Sequence, residues 1–250
     1  MPNRRPPEAQ TCASPDWPER THWSIVLAAG DPAAPGAAVA LDALCRAYWY
    51  PVYAYARRCG QSAIEAEDLT QSFFLHLLSS NALAAATPKR GRFRVFLRTC
   101  VDHFIVTCWR REHAIKRGGR VSFLSWEQDG SEHRYQADAL SPLTPEALFD
   151  RTWADTLLNR VLSQLEASLV SEGKNSLFER LKDRLIGDPD AASYAELADT
   201  LGTTEAALKM TVRRLRLRYR ELLLREIAHT VSSRDEAEQE LQHLLKVVSA

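Results

Sequence analysis

One pattern near the carboxyl end restricts the fold more than any other, because it specifies two helices and the turn between them. Ser193 and Glu196 form a capping box, in which each side chain can satisfy a backbone amide at a helix start. Gly202 follows where a helix commonly ends in left-handed backbone, and Thr204 can cap a second helix. The spacing predicts a helix-turn-helix over residues 193–220.

The second of these helices has two distinct faces. Apolar residues recur on one face at helical spacing, namely Leu208, Val212, Leu215, Tyr219 and Leu222. Basic residues occupy a neighbouring face, namely Lys209, Arg213, Arg216 and Arg220. A recognition helix needs this division, because one face anchors in the domain while the other enters the major groove of DNA. A basic helix that docks on a partner protein or a membrane surface is the alternative.

The residues that can reach DNA from this unit differ in their expected targets. Arg213 suits bidentate contact with guanine, and Glu205 can accept a hydrogen bond from cytosine. Other basic side chains suit phosphate contacts. The predicted DNA-binding set of the helix-turn-helix is Thr204, Glu205, Lys209, Arg213, Arg214 and Arg216.

Helical periodicity covers most of the chain and strand patterns are nearly absent, which predicts an all-α fold. Ser62 with Glu65 forms a second capping box, and Thr144 before Pro145 is a favourable helix start. The 250 residues exceed one average domain, so two small helical domains joined by a linker are expected. The predicted boundaries are a disordered arm over 1–20, a helical domain over 21–115, a linker over 116–143, a helix-turn-helix domain over 144–232 and an amphipathic helix over 233–250.

Charge is distributed unevenly although the formal net charge is zero. Residues 89–120 and 209–225 are strongly basic, whereas residues 127–172 are acidic. Two positive blocks separated by a negative connector indicate two contacts with one polyanion, because Lys and Arg displace counterions from phosphates. Ordinary solvated helix faces are the alternative for either block taken alone.

The sequence contains no motif of an enzyme. The histidines and five cysteines show no metal-ligand spacing, and phosphate-binding loops, dinucleotide motifs and nucleophile elbows are absent. We therefore expect no catalysis, no cofactor and no metal. No apolar run is long enough for a membrane span or a signal peptide, so we expect a cytoplasmic protein without membrane contact.

Two segments resemble bacterial RNA polymerase sigma factors of the extracytoplasmic-function (ECF) type. Residues 66–74, AEDLTQSFF, are similar to the core helix of region two in that family. Residues 193–198, SYAELA, are similar to region four. Residues 21–24 and 44–51, together with the carboxyl-terminal extension, resemble a subgroup known mainly from planctomycete-type bacteria.

The resemblance implies a transcription initiation factor that binds core RNA polymerase and directs it to promoter DNA. The first domain would engage the minus-ten element and the helix-turn-helix the minus-thirty-five element. The implied polymerase-binding residues are Glu67, Asp68, Gln71 and Phe74. The expected DNA-binding residues of the first domain are Arg92, Arg94, Arg98, Trp109, Arg110 and Arg111. Trp109 suits base stacking beside the cationic groups, and a core position is its alternative.

Two questions stay open at the level of sequence. A helix-turn-helix regulator that binds an operator without polymerase is the rival function, and an anti-sigma factor is a further partner that the resemblance allows. The final helix carries an apolar stripe of Leu241, Leu244, Leu245 and Val248. We expect this stripe to pack back on the body as a regulatory latch, and docking on another protein is the alternative.

Overall fold

A computed structural model describes residues 26, 29–30, 35–80, 82–86, 92–114, 130–187, 192–231 and 233–249. For residues 84–85 and 111–114 it describes the backbone alone. The predicted arm over residues 1–20 lies outside the described part of the chain.

The described segments form helices connected by turns, without a strand, which confirms the predicted all-α class. The helices are α1 (Ala37–Arg58), α2 (Ala63–Ser79), α3 (Ala82–Ala85), α4 (Phe93–Ala114), α5 (Ser131–Ala139), α6 (Pro145–Ser171), α7 (Asn175–Ile186), α8 (Tyr194–Leu201), α9 (Glu205–Ala228) and α10 (Arg234–Val248).

The helix starts use the capping groups that the sequence predicts. At α2, the Glu65 amide donates to Ser62 Oγ over 3.3 Å, and Glu65 Oε2 accepts from the Ser62 amide over 3.0 Å. The same reciprocal bonds join Ser193 and Glu196 at the start of α8. Gly202 ends α8 with a φ of 62°, a left-handed conformation that costs other residues about 1–2 kcal/mol. Local chemistry therefore defines both helices of the predicted helix-turn-helix.

Helix α6 contributes to two hydrophobic cores. Phe149 and Trp153, in its first half, are buried against α1, α2 and α4. Leu165 and Leu169, in its second half, are buried with residues of α7, α8 and α9. One continuous helix, which begins at the predicted boundary near residue 144, therefore contributes to both cores.

Helix α5 lies inside the segment 116–143 that the sequence predicts as a linker. Tyr135 is buried against α1, and Arg57 of α1 forms a 3.0 Å ion pair with Glu132. The helix begins after Gly130, which has a left-handed φ of 104° and makes no side-chain capping bond. This helix escapes sequence analysis because it is short and only Tyr135 is buried, so it has no apolar period.

The final helix α10 packs on the first core and on a further cluster between α6 and α9. Leu244 belongs to the core of α1, α2 and α4, whereas Leu241 packs with Val161 of α6 and Ile227 of α9. Leu245, on the same predicted apolar stripe, remains exposed. The stripe thus covers the junction between the two cores.

A buried ion cluster reinforces this junction. Arg94 of α4 is 3% exposed and donates to Glu240 of α10 over 2.8 Å and to Asp150 of α6. Arg92 contacts Glu240 over 2.6 Å, and Arg98 contacts Asp150 over 3.1 Å. Burial alone would lower the pKa of Arg94, but hydrogen bonds and charges from Glu240 and Asp150 raise it. The guanidinium therefore stays charged inside the protein.

The shared helix predicts one cooperative unfolding transition for the described body. Phe149→Ala and Leu165→Ala remove side chains from different cores, and each should lower the free energy of unfolding by about 2–5 kcal/mol. Chemical denaturation followed by circular dichroism and by tryptophan fluorescence should show coincident transitions for both variants. Gln164→Ala, at an exposed site on the same helix, should change stability by less than about 0.5 kcal/mol. Two separate transitions, each sensitive to one variant, would contradict the shared-helix architecture.

Loss of the central arginine should destabilise the fold far more than loss of an exposed one. Arg94→Ala leaves Glu240 and Asp150 without that guanidinium in a buried site, at a cost of about 3–5 kcal/mol. Arg110→Ala, at the exposed end of the same helix, should stay within about 0.5 kcal/mol of the parent. Urea denaturation measures both, and equal midpoints for the two variants would show that the ion cluster does not stabilise the fold.

Candidate protein-binding and nucleic-acid interfaces

Helix α2 presents a largely exposed face that carries both apolar and polar residues. We call this face the α2 stripe, and it consists of Ile64, Asp68, Gln71, Leu75 and Leu78. These positions recur every three or four residues and so lie along one side of the helix. Ile64 is 69% exposed, Leu75 52% and Leu78 40%. Apolar side chains gathered on one exposed helix face are typical of a protein-binding surface.

The predicted polymerase-binding residues divide into two groups. Asp68 is exposed on the α2 stripe, Gln71 is half-buried on it, and Glu67 lies beside it, half-buried. Phe74 instead is 6% exposed and stacks on Trp49, with ring centroids 5.7 Å apart. Phe74 is therefore a core residue in this structure and cannot serve as an exposed anchor.

Sequence reasoning missed three exposed residues of the α2 stripe, namely Ile64, Leu75 and Leu78. Their signal was a second apolar series, at helical spacing, on the face opposite the core positions Ala66, Phe73 and Leu77. A helix with apolar residues on two faces has more hydrophobic surface than its own core needs.

The first three predicted DNA-binding residues, at and near the start of α4, are buried or half-buried. Arg92, Arg94 and Arg98 are the cations of the buried ion cluster, where their partners come from α6 and α10. Arg94 also lies over the Trp153 ring, 5.1 Å from its centroid. In this conformation Arg94 cannot contact DNA, and Arg92 and Arg98 are largely covered.

The other end of α4 is open to solvent. Trp109 is 39% exposed and Arg110 is exposed, whereas Arg111 lies on the same turn with its side chain outside the described residues. Asp102 is an acid within this basic segment, and it accepts a hydrogen bond from the Tyr55 hydroxyl of α1. This hydrogen bond helps to hold α4 on α1, which explains why an acidic residue occurs within the basic segment.

On α9, the residues nearest the turn are accessible. Thr204 caps the helix by accepting a 3.2 Å hydrogen bond from the Ala207 amide. Glu205 and Lys209 form an exposed ion pair at 2.6 Å. Such a surface pair contributes at most about 1 kcal/mol, so either partner can exchange it for a base or phosphate.

Further along α9, exposed arginines differ in their partners. Arg213 and Arg214 are exposed and make no ion pair with the described residues. Arg216 donates to the carbonyl of Arg184 in α7 over 2.6 Å, which ties it to its own domain. Met210 and Leu217 are exposed between the arginines. Arg213 and Arg214 are therefore the cations on this face that are free to meet DNA.

The described residues contain no cluster of histidine, cysteine, aspartate or glutamate suited to hold a metal ion. No helix among them combines the length and the apolar character that crossing a bilayer requires.

Comparison with known proteins matches residues 44–115 to the family model described as Sigma-70 region 2. No curated protein and no solved structure shows a significant match to the chain. The matched residues include α2 with its exposed stripe and α4 with its basic residues. Residues 44–115 are therefore similar to sigma-70 region 2, and this similarity supports a sigma factor of RNA polymerase with a role in promoter recognition.

Proposed function

We propose that the chain is a transcription initiation factor of the ECF type that binds core RNA polymerase and directs it to promoters. The observation that carries this proposal is the region 2 match, which falls on the helices that present the α2 stripe and the open end of α4. In this proposal α4 contacts the minus-ten element and α9 contacts the minus-thirty-five element. The activity is binding rather than catalysis, and it takes place in the cytoplasm with polymerase and DNA.

The α2 stripe supports the polymerase contact. Protein interfaces concentrate their binding energy in apolar anchors surrounded by polar groups. Leu75 and Leu78 supply exposed apolar surface, while Asp68 supplies a carboxylate that can accept hydrogen bonds or pair with a basic partner. Because Phe74 is buried, these leucines take the anchoring role that the sequence analysis gave to Phe74.

Trp109, Arg110 and Arg111 support the minus-ten contact. An exposed indole beside cationic groups can stack on an unpaired base while the cations hold the phosphate backbone. Trp109 is 39% exposed, so part of its indole ring is available to stack on a base. Arg213 and Arg214 support the duplex contact at the minus-thirty-five element, because exposed arginines near the start of a recognition helix reach base edges and phosphates.

An operator-binding regulator is the second candidate, and the helix-turn-helix alone would fit it equally well. Such a regulator does not need the α2 stripe. Co-elution of the full chain with core RNA polymerase discriminates between the two candidates. We also propose an anti-sigma factor as a further partner, and a protein that displaces the chain from core polymerase would identify it. The promoters that the complex selects can be compared with those of the planctomycete-type subgroup.

Single substitutions on the α2 stripe should weaken polymerase binding without unfolding the protein. Asp68→Ala and Leu75→Ala each remove an exposed group, so the melting temperature should stay unchanged while core affinity falls about tenfold. Asp183→Ala, on an exposed site of α7, is the matched control and should bind core as the parent does. Titration of core polymerase with labelled chain measures the affinities, and parental affinity for both stripe variants would exclude this face.

The free arginine of α9 should read a base, whereas the tethered one should not. Arg213→Ala should lose about 1–3 kcal/mol of discrimination at one base position, as expected for a lost bidentate contact. Arg216→Ala should leave sequence preference unchanged, because its guanidinium bonds to α7. Selection from a randomised duplex with the reconstituted holoenzyme gives both preferences, and an unaltered preference for Arg213→Ala would remove it from the base-reading residues.

A further inference from the structure

We propose that α10 and the start of α6 hold the chain in a closed state that competes with DNA for the arginines at the start of α4. The proposal rests on the proposed function, because it assumes that α4 meets promoter DNA. In this proposal the carboxyl-terminal helix α10 has a regulatory role, because α10 and the start of α6 cover the arginines of α4 in place of DNA.

Charge complementarity is the first observation. The three arginines of this surface, Arg92, Arg94 and Arg98, each contact Glu240 or Asp150. Both acids are themselves buried or nearly so, and they come from helices outside the region 2 match. A guanidinium that makes charge-assisted bonds to a carboxylate cannot offer the same donors to a phosphate. Acids of α6 and α10 therefore occupy the positions that phosphates would take.

Proximity is the second observation. The Phe93 amide at the start of α4 donates to the Thr230 carbonyl just after α9, over 3.3 Å. Arg92 contacts both Gln239 and Glu240 of α10. The closed arrangement therefore places the start of α4 against α10 and the end of α9, which restricts the access of a DNA duplex to these arginines.

The energetics of α10 suit a reversible latch. A helix of 15 residues is marginal on its own, so α10 keeps its structure through its contacts with the body. Those contacts include the apolar residues Leu241 and Leu244 and the ion pairs of Glu240. Gln239 also bonds to Arg92, and Glu238 pairs with Arg220 of α9. A buried ion pair gives specificity of position with little net stability, because desolvation offsets most of its attraction. Phosphates that replace the carboxylates can therefore reverse the closure.

Glu240→Gln tests the latch in the full-length protein. The substitution removes the charge that faces Arg92 and Arg94 and keeps the side chain's size. Asp235→Asn is the matched control, because it removes one charge from an exposed site on the same helix. Binding of a short duplex of random sequence is followed by fluorescence anisotropy across a series of salt concentrations.

The latch predicts a higher affinity for Glu240→Gln. At low salt its affinity should rise about tenfold over that of the parent, because the binding-competent fraction increases. The slope of log K against log salt should stay parental, since DNA displaces α10 in both proteins and the same phosphate contacts form. Asp235→Asn should match the parent in affinity and in slope. Equal affinities for the two variants would overturn the latch while leaving core binding, and so the proposed function, intact.

Hydrogen exchange of the wild-type chain tests the same point without a substitution, and it decides the matter if Glu240→Gln fails to fold. Saturating random duplex should accelerate exchange of the amides in 234–248, because DNA displaces α10 from α4. Unchanged or increased protection of α10 would overturn the proposal. Loss of core binding by the wild-type chain would instead count against the proposed function.

Discussion

The ion cluster around Arg94 determines how the parts of this molecule fit together. A guanidinium inside a protein is tolerated only when carboxylates satisfy it, and here the carboxylates come from Asp150 of α6 and Glu240 of α10. The cluster therefore fixes three helices that are distant in sequence. It fastens the residues that match region 2 to the start of α6, and it places α10 over the junction of the two cores.

This constraint explains why the positive charge of residues 89–120 does not translate directly into a nucleic-acid surface. Composition predicts a basic segment, but it cannot say which cations meet acids from other parts of the chain. Trp109 and Arg110, at the far end of α4, remain open, whereas Arg94 is enclosed. Binding sites at the two ends of one helix can thus have different availability in the free protein.

Much of the fold follows from local chemistry that is visible in the sequence. The capping boxes at Ser62 and Ser193 and the left-handed Gly202 depend on residues a few positions apart, so they could be predicted. Long-range relations could not. The burial of Phe74 depends on Trp49, and the position of α5 depends on the pairing of Glu132 with Arg57. Helical periodicity reports that a residue faces a core, but not which core, which is why the shared role of α6 emerges only from the structure.

We propose that this one chain combines a polymerase-binding face with two DNA-binding regions. Mapping of transcript starts made by core RNA polymerase with and without the purified full-length chain tests it most directly. The account predicts new starts at defined positions that appear only when the chain is present and that share sequence elements about 10 and about 35 base pairs upstream. A chain that shifts duplex DNA but neither binds core nor produces new starts would contradict it.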